Sequence, residues 1–121
     1  MALERVLVVE GDLLSRFGVR DLLERDFEVL EAGNGKEALA LLEGTRVDLV
    51  ITDLVMPGMN GVDLTRAIRE RGNTKVIWCT AYDRDEFRSA AKELRVDGYL
   101  VKPLELDHLY QMISALLGAV R

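Results

Sequence analysis

Four loops of this sequence carry residues that could serve one reaction together. Asp53 stands in Asp48-Leu49-Val50-Ile51-Thr52-Asp53-Leu54-Val55-Met56-Pro57-Gly58-Met59-Asn60-Gly61, just beyond the apolar run Leu49 to Ile51. Glu10-Gly11-Asp12 follows the run Val6 to Val9, Thr80 follows Val76 to Cys79, and Lys102 follows Tyr99 to Val101. A carboxylate can attack phosphorus and form an acyl phosphate. The phosphoryl oxygens then need cations and hydrogen-bond donors. Lys102 can pair with one oxygen and Thr80 can donate to another. The acids beside Asp53 would raise its pKa by repulsion unless a divalent cation sat between them. Mg²⁺ is the expected cation, because it favours carboxylate and carbonyl oxygens plus water.

Those residues can meet only if the chain brings its loops to one place. Val6 to Val9 reads as a strand buried on both faces. Asp12 can cap the helix that follows, in which Leu14, Phe17, Gly18 and Leu22 lie on one face. A short strand runs from Phe27 to Glu31. Asn34 then caps a helix with Ala38, Leu41 and Leu42, closed by Gly44. The strand ending at Asp53 comes next, and Asn60 caps a third helix that Gly72-Asn73 stops. After Val76 to Cys79, Asp83 or Asp85 starts a fourth helix. It has few large apolar residues and is expected to pack weakly. Tyr99 to Val101 is a brief fifth strand. The last helix shows Leu109, Met112, Ile113, Leu116 and Leu117 as one stripe. Strands alternating with helices predict an α/β fold, a parallel sheet with right-handed crossovers and helices on both faces. In such a fold every loop after a strand opens on the same edge, where open α/β sheets place their sites.

The chain has 121 residues, 49% of them apolar and 6% aromatic, which suits one domain with an aliphatic core. No apolar run reaches the about 18 residues that a membrane span needs. The N-terminus has no signal-peptide layout, and the single cysteine suits a reducing interior, so a cytoplasmic location is expected. The net charge of -5 argues against direct nucleic-acid binding, which needs a basic face.

The sequence resembles the receiver domain of two-component response regulators over its whole length. The resemblance rests on Val6 to Val9 followed by acids, on Asp53 to Gly61, on Thr80-Ala81, and on Gly98-Tyr99-Leu100-Val101-Lys102-Pro103. It implies a single flavodoxin-like receiver domain over 1–121, a three-layer five-stranded sheet of order 2-1-3-4-5. It implies that Asp53 is the phosphoacceptor and that Thr80 reorients toward the phosphoryl group. Tyr99 would be the aromatic switch that follows Thr80, and Lys102 the lysine that pairs with the phosphoryl group. The Lys102-Pro103 bond would be cis. Glu10, Asp53 and the backbone carbonyl of Val55 would hold Mg²⁺. The implied partners are a histidine kinase or phosphotransfer protein, and a downstream protein or output domain on the face of helix four, strand five and helix five. A homodimer is also open.

The sequence departs from the family at the first loop. Two adjacent acids usually follow strand one; here Glu10 falls on the first and Gly11 on the second, normally the direct metal ligand. Asp12 either caps the helix or, with the loop remodelled around Gly11, reaches the metal. Mg²⁺ binding is expected to be weakened. Cys79 and Trp78 read as core residues and His108 as exposed. Two functions follow: a phosphorylation-dependent switch, and a phosphorylation-independent interaction module that keeps the fold. An enzyme acting on a separate substrate is disfavoured, because Val55 stands where aspartate-nucleophile phosphatases carry a second acid. An acidic first loop would repel the phosphate of a flavin. The C-terminus just after the last helix fits a stand-alone regulator or a piece of a longer protein.

Overall fold

A computed structural model describes residues 3–118. Its elements alternate: β1 (Arg5–Val9), α1 (Leu13–Leu23), β2 (Glu28–Ala32), α2 (Gly35–Gly44), β3 (Leu49–Asp53), α3 (Gly61–Arg71), β4 (Lys75–Thr80), α4 (Asp85–Glu93), β5 (Gly98–Val101) and α5 (Leu106–Leu117). The strands form one parallel sheet in the order β2-β1-β3-β4-β5. Every crossover is long enough to hold a helix, as parallel pairing demands.

The sheet's two faces carry separate cores. Val6, Val8, Leu49, Ile51 and Ile77 face α1 and α5, meeting Val19, Leu23, Leu109 and Ile113. Leu7, Val9, Val50, Val76 and Trp78 face the other layer and meet Ala38, Leu64, Ile68 and Leu94. The alternation along each central strand therefore divides one continuous apolar run between two layers. The α5 stripe buries Leu109 and Ile113 as its spacing predicts. Helix α4 has no fully buried residue, in keeping with its thin apolar face.

Capping explains where several helices start. The side chains of Asp12, Asn34 and Asn60 each accept a hydrogen bond from a backbone N–H three residues on. Helix α4 differs. Asp85 is its first residue, and its cap position, Arg84, offers no side-chain bond. Asp83 turns to Arg88 and Tyr99 instead.

The buried stripe of α1 is not the one expected. Val19 and Leu23 are buried, while Leu14 is 79% and Phe17 47% exposed. The positions of this helix that line the open cavity carry Ser15, itself exposed, and Gly18, which give no hydrophobic signal. The large apolar side chains of the same turn face outward, so the stripe is rotated by about one residue.

Candidate functional site

Parallel register brings the separate loops together. Asp53 pairs with Cys79 across β3 and β4, Thr80 with Val101 across β4 and β5, and Val9 with Thr52 across β1 and β3. The residues that end these strands or follow them therefore share the carboxyl edge. They include the point where β1 gives way to β3, at which the connections switch faces of the sheet.

Lys102 is the centre of the cluster. Its Nζ donates to Asp53 Oδ2 at 3.1 Å and to Glu10 Oε2 at 3.1 Å. The other oxygen of Asp53, Oδ1, accepts from the amides of Leu54 (2.7 Å) and Val55 (3.4 Å). Oε1 of Glu10 accepts from the amide of Asp12 at 3.2 Å. Burial raises the Glu10 carboxyl above its ordinary range despite the hydrogen bond from Lys102. The same burial would lower the Lys102 ammonium, but hydrogen bonds to Glu10 and Asp53 outweigh it and hold the group above its usual range.

The backbone around Asp53 is fixed by close packing. A Cβ on Gly61 would overlap the carbonyl oxygen of Asp53, so only glycine lets α3 start against the Asp53 peptide. The Gly61 amide donates to the Leu54 carbonyl at 2.9 Å. Behind this contact, Thr65 Oγ1 donates to the Gly61 carbonyl and accepts from Trp78 Nε1, both at 2.8 Å. The buried indole thus finds the partner it requires. An open cavity of about 600 Å³ is lined by Asp53, Glu10 and Lys102 together with apolar residues that include Val8, Val19 and Leu104.

The two acids of the first loop part company. Glu10 joins the cluster, but Asp12 does not. Its carboxylate accepts from Ser15 N (2.9 Å) and Ser15 Oγ (2.6 Å), and the Ser15 hydrogen bonds hold its carboxyl below the usual range. Asp12 is therefore the helix cap, and the loop is not rearranged to bring it inward. Gly11 is exposed, with φ outside the left-handed region. A Cβ there would meet only the Gly33 carbonyl oxygen, at 3.5 Å. A side chain would fit, so the backbone does not require glycine.

The donor set suits Mg²⁺ at its minimum. This ion takes one or two carboxylates and fills its remaining positions with water; Glu10 and Asp53 supply two. No third acid, histidine or cysteine joins them as a metal-holding group among the described residues. Val55, exposed, lies at the rim beside Asp53.

Thr80 and Tyr99 lie on the other side of Lys102. Buried Thr80 uses its hydroxyl locally, accepting from the Tyr82 amide (2.9 Å) and donating to the Tyr82 carbonyl (3.2 Å). Tyr99 is half-buried, its ring 6.5 Å from that of Trp78, and its hydroxyl donates to Asp83 Oδ1 at 3.2 Å. The Lys102-Pro103 bond is cis, and the Lys102 amide donates to the Thr80 carbonyl at 2.8 Å. Cys79 and Trp78 are buried and His108 is exposed, as expected. Burial pushes the Cys79 thiol up to about 12, leaving it inert.

Two contributors had no signal in the sequence. Arg16, which looks like any polar helix residue, reaches back and donates to the Glu10 carbonyl (3.1 Å) while its Nε binds Glu31 (3.2 Å). It anchors the first loop to β2. Arg88, on the outer face of α4, grips Asp83 with both prongs, at 2.7 and 2.8 Å.

Known proteins resemble this chain in sequence and in fold. The response regulator receiver domain family matches residues 6–114. The chemotaxis protein CheY of Halobacterium salinarum is 34% identical over 118 residues, covering 96% of this chain and 98% of that protein. The transcriptional regulatory protein ResD of Bacillus subtilis is 36% identical over 114 residues, 93% of this chain but 48% of the relative. The chain thus spans about half the length of ResD and of YdfI from the same organism, where the share is 54%. Among solved structures, a CheY-like receiver domain from Methanospirillum hungatei superposes with a TM-score of 0.91 at 28% identity, over 97% of this chain and 95% of that one. The chain belongs to the receiver domains of two-component response regulators.

Proposed function

We propose that this receiver accepts a phosphoryl group on Asp53 and uses the modification to switch a partner-binding surface. The observation that carries the reading is the placement of Lys102 Nζ, 3.1 Å from Asp53 Oδ2 at the carboxyl edge of the sheet. In the reaction an Asp53 oxygen attacks the phosphorus of a phosphohistidine on a histidine kinase or phosphotransfer protein. The P–N bond breaks, its electron pair returns to the imidazole, and an acyl phosphate forms. Lys102 shifts to the phosphoryl oxygens, and the Thr80 hydroxyl leaves Tyr82 to donate to another of them. Water later attacks phosphorus and restores Asp53, so the chemistry is confined to the chain itself and no separate substrate is turned over. Mg²⁺, held by Glu10, Asp53 and the Val55 carbonyl, would neutralise charge on the phosphoryl group.

The surface that responds is α4, β5 and α5, with Tyr99 following Thr80. Helix α4 is suited to moving because it buries no residue completely. A downstream protein, an output domain or a second copy of the chain would read this face, without direct nucleic-acid contact. No helix among the described residues is long and apolar enough to cross a membrane; that and the lone buried thiol support action in the cytoplasm. Mass spectrometry after incubation with acetyl phosphate and Mg²⁺ tests the reading. One phosphoryl group is expected, lost in Asp53→Asn; an unmodified wild type under conditions that label another receiver would overturn it.

One observation favours a second reading. Gly11 brings no carboxylate, and Asp12 is committed to Ser15. A receiver short of one metal ligand can act as a phosphorylation-independent interaction module. That reading expects no labelling even at Mg²⁺ concentrations far above those an ordinary receiver needs.

A further inference from the structure

The exposed side of the β4–α4 loop carries a closed triad. Asp83 binds Arg88 with both oxygens, at 2.7 and 2.8 Å, and accepts from the Tyr99 hydroxyl at 3.2 Å. The Arg88 guanidinium lies over the Tyr99 ring, 4.6 Å from its centre. Each member therefore touches the other two. The same loop is held from inside by the Thr80 hydroxyl, which binds both the amide and the carbonyl of Tyr82. Thr80 holds Tyr82 and Tyr99 holds Asp83, so the two ends of the switch are tied to adjacent positions of one short loop.

We infer that the Asp83–Arg88 pair is a latch that holds Tyr99 and the β4–α4 loop in the unswitched arrangement and so sets how readily Asp53 is phosphorylated. The inference rests on the reading of Asp53 as phosphoacceptor and names positioning residues that act on it through Thr80. For Thr80 to meet a phosphoryl group it must release Tyr82. The loop is then free on its inner side but still fastened outside to β5, where Asp83, held in place by Arg88, accepts from the Tyr99 hydroxyl. The latch opposes the switch without touching the reacting atoms. When only a fraction of molecules holds the competent arrangement, the observed rate scales with that fraction. Asp83 is well suited to this role because its carboxylate gives α4 no capping bond. Arg88 keeps the Asp83 carboxyl below its ordinary range, so it stays charged.

The test measures two quantities in the full chain. The first is the rate of Asp53 labelling by acetyl phosphate. Asp83→Asn and Arg88→Ala should each speed labelling about three- to fivefold, the scale of an exposed ion pair. Arg88→Lys, which keeps the charge but not the two-pronged contact, should fall between Arg88→Ala and wild type. In a Tyr99→Phe background Asp83→Asn should add nothing further, because the latch acts through the phenol. The second quantity is the Tyr99 phenol titration, followed by NMR of ring-labelled tyrosine with Tyr99→Phe identifying the signal. Burial and the Asp83 carboxylate raise this phenol above its usual range, so Asp83→Asn should lower its midpoint. Unchanged rates, or an acceleration that persists without the Tyr99 hydroxyl, would overturn the latch. If wild type takes no phosphoryl group, the reading of Asp53 fails by itself. The phenol midpoint then decides the latch alone, and a midpoint unmoved by Asp83→Asn rejects it.

Discussion

The two sides of Lys102 differ in how completely they are furnished. On the β4 and β5 side, Thr80, Tyr99 and the loop between β4 and α4 are linked by side-chain hydrogen bonds that would have to exchange if Thr80 turned toward Asp53. On the β1 side, Glu10 alone reaches the cluster, Gly11 offers no side chain and Asp12 serves the helix. Both sides hang on the same sheet edge, so topology is not the cause. The difference is one carboxylate. Strand register and the turn after β5 suffice to place Asp53 beside Lys102, whereas affinity for a Mg²⁺ ion would depend on how many oxygens converge on one point.

The largest effect should come from breaking the bridge between the two sides. Lys102→Ala leaves Glu10 and Asp53 without the ammonium between them and removes the donor proposed for the phosphoryl group. Labelling by acetyl phosphate should fall about a hundredfold, the usual loss for one such donor. A rate within a fewfold of wild type would mean that Lys102 serves only to neutralise the resting site.

Supplying a carboxylate at Gly11 should even out the comparison. Gly11→Asp places a carboxylate where the backbone already accepts a Cβ and should tighten Mg²⁺ by about tenfold, 1.4 kcal/mol. A titration followed by the fluorescence of buried Trp78 reads it, and an unchanged affinity would show that the first loop does not face the ion. Asp12→Ala should do the opposite. It should cost about 1 kcal/mol of stability in urea unfolding through loss of the cap, with Mg²⁺ affinity unaltered. A weakened ion without a stability loss would reverse the roles assigned to Asp12. Smallest of all, Gly18→Ala should stabilise the chain by about 0.5–1 kcal/mol. Gly18 sits inside α1 with ordinary φ, and no atom lies within 4 Å of where its Cβ would sit, so alanine gains helix propensity without a clash. A loss of stability there would mean that the cavity beside α1 tolerates no narrowing.

The sequence carried most of the fold because its signals are local. Apolar runs ending at acids, asparagine caps and the α5 stripe each depend on near neighbours in the chain, and the structure agrees with them. Expectations failed or stayed open where the answer lay in packing. Leu14 and Phe17 looked like core because size and hydrophobicity are all a sequence shows. Helix α1 instead turns small Ser15 and Gly18 toward the open cavity. Asp12 had two readings of equal chemistry, and only the position of Ser15 separated them. Arg16 and Arg88 gave no signal, because a long charged side chain on a helix surface can reach in any direction.

By itself the sequence determined which residues could react and, through strand and turn patterning, that they end at one edge. The resemblance to receivers supplied the strand order that the pattern could not. Tertiary structure alone decided the partners: that Lys102 lies equally close to Glu10 and Asp53, that Asp12 is taken up by Ser15, and that Asp83 binds Arg88 and Tyr99 instead of capping α4. The physical reason is distance along the chain. Caps and strand ends are set within a few residues, but the contacts of Lys102 span 92 and 49 positions and exist only once the sheet has closed the gap.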